Sequence, residues 1–163
     1  MHTDDDLEIL AKTLREHASV AGASIATAES CTGGWVAKML TDIPGSSAWF
    51  DRGFVTYTNE SKQEMLGVQA ATLETYGAVS EQTVREMVQG ALSNSRGSIA
   101  VAVSGIAGPD GAMPGKPVGT VCFAWAQRDG DLKSCREQFS GDRDQVRRQA
   151  VAFALNGVID LLD

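Results

Sequence analysis

The run Ser98-Ile99-Ala100-Val101-Ala102-Val103-Ser104, closed by Gly97 and Gly105, is apolar at nearly every position. Strict alternation would mark a strand with one wet face, whereas an unbroken apolar run of this length marks a central strand covered on both. A chain that contains it must lay helices on two faces of a sheet. Its 163 residues suffice for one ordinary core, so one domain is expected over residues 1–163.

The remaining patterns supply the layers. Leu7, Leu10, Ala11 and Leu14 share one helical face between about Asp5 and His17, and Ser24 to Thr27 reads as a short buried strand. Trp35 to Leu40 has helical spacing, and Trp49 to Tyr57 is extended and aromatic-rich. Asn59 is positioned to cap a helix through Leu66, and Ser80 a second one carrying Val84, Met87, Val88, Ala91 and Leu92. Both are expected to lie on the sheet. Thr120–Ala126 and Leu132–Phe139 flank a turn at Arg128 to Asp131 as an antiparallel hairpin, and a last helix runs from near Asp144 to Leu161. The order predicts an α/β fold, a three-layer α/β/α sandwich around a mixed, mostly parallel sheet with a late antiparallel hairpin.

Several function classes are disfavoured. Acidic residues outnumber basic ones 21 to 14, and the net charge of −7 opposes attraction to nucleic acid or anionic lipid. No apolar run reaches the roughly 18–20 residues of a membrane helix, and the start Met1-His2-Thr3-Asp4-Asp5-Asp6 lacks the features of a signal peptide. A cytoplasmic protein acting on a small solute is expected. Cys31, Cys122 and Cys135 are scattered and only His2 and His17 could join them, so no metal, cofactor or disulfide framework is expected. With both histidines so early, a catalytic base has to come from lysine, tyrosine or a carboxylate.

The chemistry centres on Thr27-Ala28-Glu29-Ser30-Cys31-Thr32-Gly33-Gly34-Trp35, where strand passes into helix. Ser30 in that turn is a hydroxyl nucleophile beside the unpaired N–H groups of a helix start, and Gly33 and Gly34 would let a ligand approach. The plainer reading of Ser30 or Thr32 is helix capping. Tyr57 and Lys62 straddle the next strand-to-helix passage. At the third helical position the macrodipole disfavours an ammonium, and a partly dry site would push Lys62 further toward the neutral amine a base requires. By spacing alone Lys62 also reads as a solvated surface lysine, and Tyr57 as a rim aromatic. The long Gly/Pro loop from Gly105 to Pro117 reads as a binding element or a mobile hairpin tip. Cys31 is a second nucleophile candidate, because a thiol at a helix start can have a lowered pKa.

Together with Gly45-Ser46-Ser47, Gly53-Phe54-Val55-Thr56-Tyr57, Gly77-Ala78-Val79-Ser80, Ser104-Gly105-Ile106-Ala107-Gly108-Pro109-Asp110-Gly111, Lys116-Pro117-Val118-Gly119-Thr120-Val121 and Gly141-Asp142-Arg143, these blocks resemble the carboxy-terminal domain of CinA, the competence-damage-inducible protein family. The resemblance runs from about Leu7 to Leu161 and is greatest to the stand-alone bacterial form. It implies hydrolysis of the carboxamide of nicotinamide mononucleotide to nicotinate mononucleotide and ammonia, a salvage step. It implies Ser30 as nucleophile with Tyr57 and Lys62 as helpers, and substrate contacts from Gly45, Ser46, Ser104, Gly105 and Arg143. Ser104 stands where many relatives have threonine, which keeps the hydroxyl. Backbone N–H groups of Thr32, Gly33 and Gly34, or of Gly105 to Gly108, would hold the oxyanion of an acyl transfer. The alternative from another class is a non-catalytic nucleotide-binding module. The expected partner is a small pyridine nucleotide, with neither nucleic acid nor membrane, and a homo-oligomer is compatible with the sequence.

Overall fold

The computed structural model describes residues 2–163. In chain order the elements are α1 (Asp4–Ala21), β1 (Ile25–Glu29), α2 (Trp35–Thr41), a 3-10 turn (Ser46–Ala48), β2 (Phe50–Val55), α3 (Asn59–Leu66), α4 (Ala70–Tyr76), α5 (Glu81–Ser93), β3 (Ile99–Gly105), β4 (Thr120–Gln127), β5 (Leu132–Gln138) and α6 (Arg143–Leu162). The sheet order is β2-β1-β3-β4-β5. β1 pairs parallel with β2 and β3, while β4 is antiparallel to β3 and β5. β4 alone therefore runs against the other four strands, although its pairings make half of the ladder antiparallel. The expected mixed α/β architecture is the observed one.

Side-chain size separates the two faces. Ile25, Val101, Val103, Val121, Phe123 and Trp125 turn toward α1, α2 and α6, where Phe123 and Phe153 pack at a tilt with ring centroids 4.7 Å apart. The other face carries Ala26, Ala28, Ala100, Ala102, Cys122, Ala124 and Ala126, small enough for α5 to settle on it through Val84, Met87, Val88 and Ala91. Burial on both sides of β3 is what the apolar run requires.

Several local expectations need correction. Thr58, not Asn59, caps α3, through a reciprocal box with Ser61, so Lys62 falls one position further into the helix. α3 packs on α5 instead of on the sheet. β1 begins one residue later than expected and continues through Glu29, β2 stops at Val55, and α1 extends to Ala21. α4 was absent from the sequence reading; its seven residues, Ala-Ala-Thr-Leu-Glu-Thr-Tyr, offer a single buried apolar side chain, Leu73.

The chain passes from β1 outward to β2 and then returns to the other side of β1 as β3. This makes a switch point between β1 and β3, and the carboxyl ends of strands at such a point are where open α/β sheets bind ligands. α3 reaches that edge because it crosses α5 closely at Gly90. A Cβ on Gly90 would stand 1.9 Å from the carbonyl oxygen of Leu66, at the end of α3. In an unobstructed helix, replacing glycine by alanine gains about 0.5–1 kcal/mol. Gly90→Ala should instead destabilise by about 1–3 kcal/mol, because the clash is with backbone and α3 must move. Urea denaturation checks this, and an increase in stability would contradict the close crossing.

Candidate active site

Three segments meet at the carboxyl edge of the sheet. Ser30 follows β1 directly and donates its backbone N–H to Val103 O of β3 at 3.0 Å. Thr56 and Tyr57 follow β2, and Thr56 N–H bonds Glu29 O at 2.8 Å. The loop from Gly105 follows β3. Between them is a cleft of about 240 Å³ lined by Ser30, Cys31, Tyr57, Asn59, Lys62, Ala78, Val79, Ser104, Gly105 to Gly108, Asp110, Gly111 and Arg143.

Lys62 is the decisive side chain. It is 1% exposed, and its Nζ lies 3.0 Å from Ser30 Oγ and 2.9 Å from the Thr56 carbonyl. Burial lowers its pKa from the ordinary lysine value by disfavouring the charged form. A neutral amine fits these two neighbours: one N–H donates to Thr56 O, and the lone pair accepts the Ser30 hydroxyl. The surface-lysine reading therefore fails on geometry.

The Ser30 turn is clamped by groups the sequence reading did not assign. The carboxylate of Glu29, 1% exposed, accepts the Thr32 hydroxyl at 2.7 Å and the N–H groups of Val36 and Ala37 at 2.8 and 3.0 Å. Glu29 thus occupies the amino end of α2, whose N-cap residue Gly34, with φ near 99°, offers no side chain. Neither Ser30 nor Thr32 is the capping residue. From α6, Arg147 donates Nε to Cys31 O at 3.0 Å and Nη2 to Thr32 O at 3.3 Å, while its guanidinium stacks over Trp35.

The residues singled out from sequence separate into two groups. Ser30, Tyr57, Lys62, Ser104, Gly105 and Arg143 come together at the cleft. Tyr57 is half exposed, and its hydroxyl accepts from Arg143 Nη2 at 2.9 Å; the other Arg143 amino group donates to Gly108 O at 2.8 Å. Thr32, Gly33 and Gly34 lie behind Ser30 outside the lining, where a Cβ at Gly33 would meet the Arg147 guanidinium at 3.5 Å. Gly45 and Ser46 sit at the turn before β2, at the opposite edge of the sheet from Ser30. Asn59 and Asp110 also line the cleft; in the sequence Asn59 reads only as a helix cap and Asp110 only as part of the Ser104–Gly111 block.

For Cys31, burial and then the Glu29 carboxylate push the thiol up to about 12, the reverse of the lowering a thiolate nucleophile needs. The loop after β3 is anchored, with Lys116 Nζ on Tyr76 O at 2.5 Å and Arg136 on Gly115 O. A larger groove of about 650 Å³ runs between α1 and α2, but its lining holds no serine, threonine or cysteine. No helix among the described residues is long and apolar enough to cross a membrane.

The lowered Lys62 pKa has a stability consequence. Between the folded value and the ordinary 10.5, the unfolded chain binds a proton that the folded one lacks, so stability gains as pH rises through that window. Methionine carries no proton. The stability of the wild type relative to Lys62→Met should therefore rise from neutral pH toward pH 10.5 in paired denaturation curves; a flat difference would mean an unshifted lysine.

Comparison with known proteins places this geometry in a family. The model of the CinA C-terminal domain matches residues 7–162. The chain is 58% identical over 153 residues to the nicotinamide-nucleotide amidohydrolase PncC of Shigella flexneri, an alignment covering 94% of this chain and 93% of the relative. It is 51% identical over 158 residues to the protein of the same name from Pseudomonas putida, covering 96% and 98%. The crystal structure of competence/damage inducible protein CihA from Agrobacterium tumefaciens superposes with a TM-score of 0.92 at 47% identity, covering 97% and 96%.

Proposed function

We propose an amidohydrolase that converts nicotinamide mononucleotide to nicotinate mononucleotide and ammonia, because this chain belongs to the CinA C-terminal domain family and is so similar to relatives named for that activity. One observation carries the chemistry: a buried lysine amine 3.0 Å from a serine hydroxyl inside a cleft. A hydroxyl paired with a neutral amine is an activated nucleophile with its base.

Lys62 Nζ takes the Ser30 proton while its own N–H stays on Thr56 O. Ser30 Oγ bonds to the carboxamide carbon, and the carbonyl electron pair moves onto oxygen. As the pair returns, the C–N bond breaks and the Lys62 proton leaves with ammonia. Water then attacks the acyl-serine, Lys62 again accepting the proton; as the tetrahedral intermediate collapses the bond from carbon to Ser30 Oγ breaks, Lys62 returns the proton to Oγ, and nicotinate mononucleotide departs. The cleft is smaller than the roughly 300–1,000 Å³ of a pocket that encloses a whole ligand, so it takes the reacting ring and leaves the phosphate at the mouth. Arg143, a planar fork of donors, meets the phosphate there, with Tyr57 holding its orientation. Ser104, whose hydroxyl has no protein partner among the described residues, contacts the carboxamide. The reaction is a pyridine-nucleotide salvage step, carried out in the cytoplasm.

Ammonia release from nicotinamide mononucleotide, its riboside and the intact dinucleotide tests the assignment; saturable binding without ammonia would instead mark a binding module. Ser30→Ala should abolish release and leave the protein folded. Lys62→Arg should be nearly as damaging as Lys62→Met, since guanidinium stays protonated and cannot accept the serine proton. Substantial turnover by Lys62→Arg would remove the base assignment. In the wild type, the rate should fall as pH drops through an apparent pKa below lysine's usual value of about 10.4.

A further inference from the structure

Acyl transfer requires a donor for the charge that forms on the carboxamide oxygen, and the two candidate stretches differ in what their amides already do. Around Ser30, Gly33 N–H bonds Ser30 O at 3.0 Å, Val36 and Ala37 bond Glu29, and Thr32 and Gly34 lie outside the cleft, so the one rival amide that reaches it is that of Cys31, which meets no acceptor among the described residues.

The loop after β3 is different. Ile106 donates its N–H to Thr120 O at 2.8 Å, and its carbonyl accepts from Gly119 N–H at 2.8 Å, so both of its backbone groups are turned toward β4. A trans peptide is planar, with N–H and C=O opposed; the N–H of Ala107 therefore points away from the Ile106 carbonyl and from β4. The other neighbour of β3 is β1, and the residue just beyond β1 is Ser30. Ala107 lines the same cleft as Ser30 and Lys62, and its N–H meets no acceptor among the described residues. An almost buried amide without a partner is rare in folded proteins. The next carbonyl along, Gly108 O, is held by Arg143, so the loop is fixed on both sides of this amide.

The geometry points to the backbone N–H of Ala107 as the donor that stabilises the oxyanion when Ser30 attacks, a catalytic group that rests on the amidohydrolase reading above. A fixed amide needs no reorganisation as the charge develops, which is the condition under which such donors contribute most.

Replacing Ala107 by L-lactate through backbone ester synthesis deletes this N–H and keeps the side chain. The same exchange at Cys31, with L-3-mercaptolactate, tests the rival amide beside Ser30. Glycolate at Gly119 removes the donor to Ile106 O, and so reports the cost of weakening that bond alone. Each protein is assayed for ammonia release from nicotinamide mononucleotide and for Ser30 acylation by p-nitrophenyl acetate, which releases p-nitrophenolate whatever the natural substrate is. The Ala107 ester should lose about 10²–10³-fold in kcat and in acylation rate, with KM little changed and near-native melting. The Cys31 and Gly119 esters should stay within a few-fold of wild type. Full rates from the Ala107 ester, or an equal loss from either of the other two, would overturn the assignment. If the wild type releases no ammonia yet the acylation pattern holds, the substrate reading fails and the Ala107 donor stands.

Discussion

The contact between Lys62 Nζ and Ser30 Oγ, made out of reach of bulk water, is the interaction around which the rest of the structure is arranged. A charged ammonium buried there would be costly, and the protein avoids the cost by favouring the neutral amine. When the amine is neutral, the Thr56 carbonyl holds one N–H and the lone pair is left for the serine. Reaching this point demands a helix aimed across the strand ends, which the Thr58–Ser61 box starts and the close crossing at Gly90 seats. The all-small face of the sheet matters for the same reason: alanines beneath α5 bring the whole α5–α3 layer near enough for a lysine to span the gap.

A second constraint falls on Ser30. Its turn is held from one side by Glu29 and from the other by Arg147, so Ser30 sits on a segment with little conformational freedom. Glu29 also changes what the helix start can do. Two amides of the helix start, those of Val36 and Ala37, already bind a carboxylate of the same chain, and the macrodipole of α2 is complemented internally. On the proposed reading the oxyanion falls to the loop leaving β3, where the Ala107 N–H meets no acceptor among the described residues.

Patterns carried by neighbours in sequence were legible; contacts across the sheet were not. β3 declared itself because six adjacent residues share one environment, and the Ser30 turn because strand and helix patterns meet there. α4 was missed because seven residues with one buried side chain have no periodicity to detect. Lys62 shows the limit more sharply: nothing in its spacing separates a buried amine from a solvated one, and the resemblance, not periodicity, pointed to it. Glu29 was in plain view, yet its function depends on two amides seven and eight residues away whose direction only the fold decides. Gly45 and Ser46, carried over by resemblance, lie at the opposite edge of the sheet from the cleft within this chain.

The net charge of −7 opposes the anionic nucleotide of the proposed reading, and the scale of screening resolves the conflict. At physiological ionic strength exposed charges more than about 8 Å apart are largely screened, so the overall charge acts weakly on a ligand already at the cleft. Arg143 acts at contact distance, where a charge-assisted hydrogen bond is about twice as strong as a neutral one. Because Arg143 is also tied to Tyr57 and Gly108, a phosphate that engages it meets the same group that orders the mouth of the cleft. On the proposed reading, recognition of the phosphate and alignment of the loop beside Ser30 are therefore coupled through one side chain.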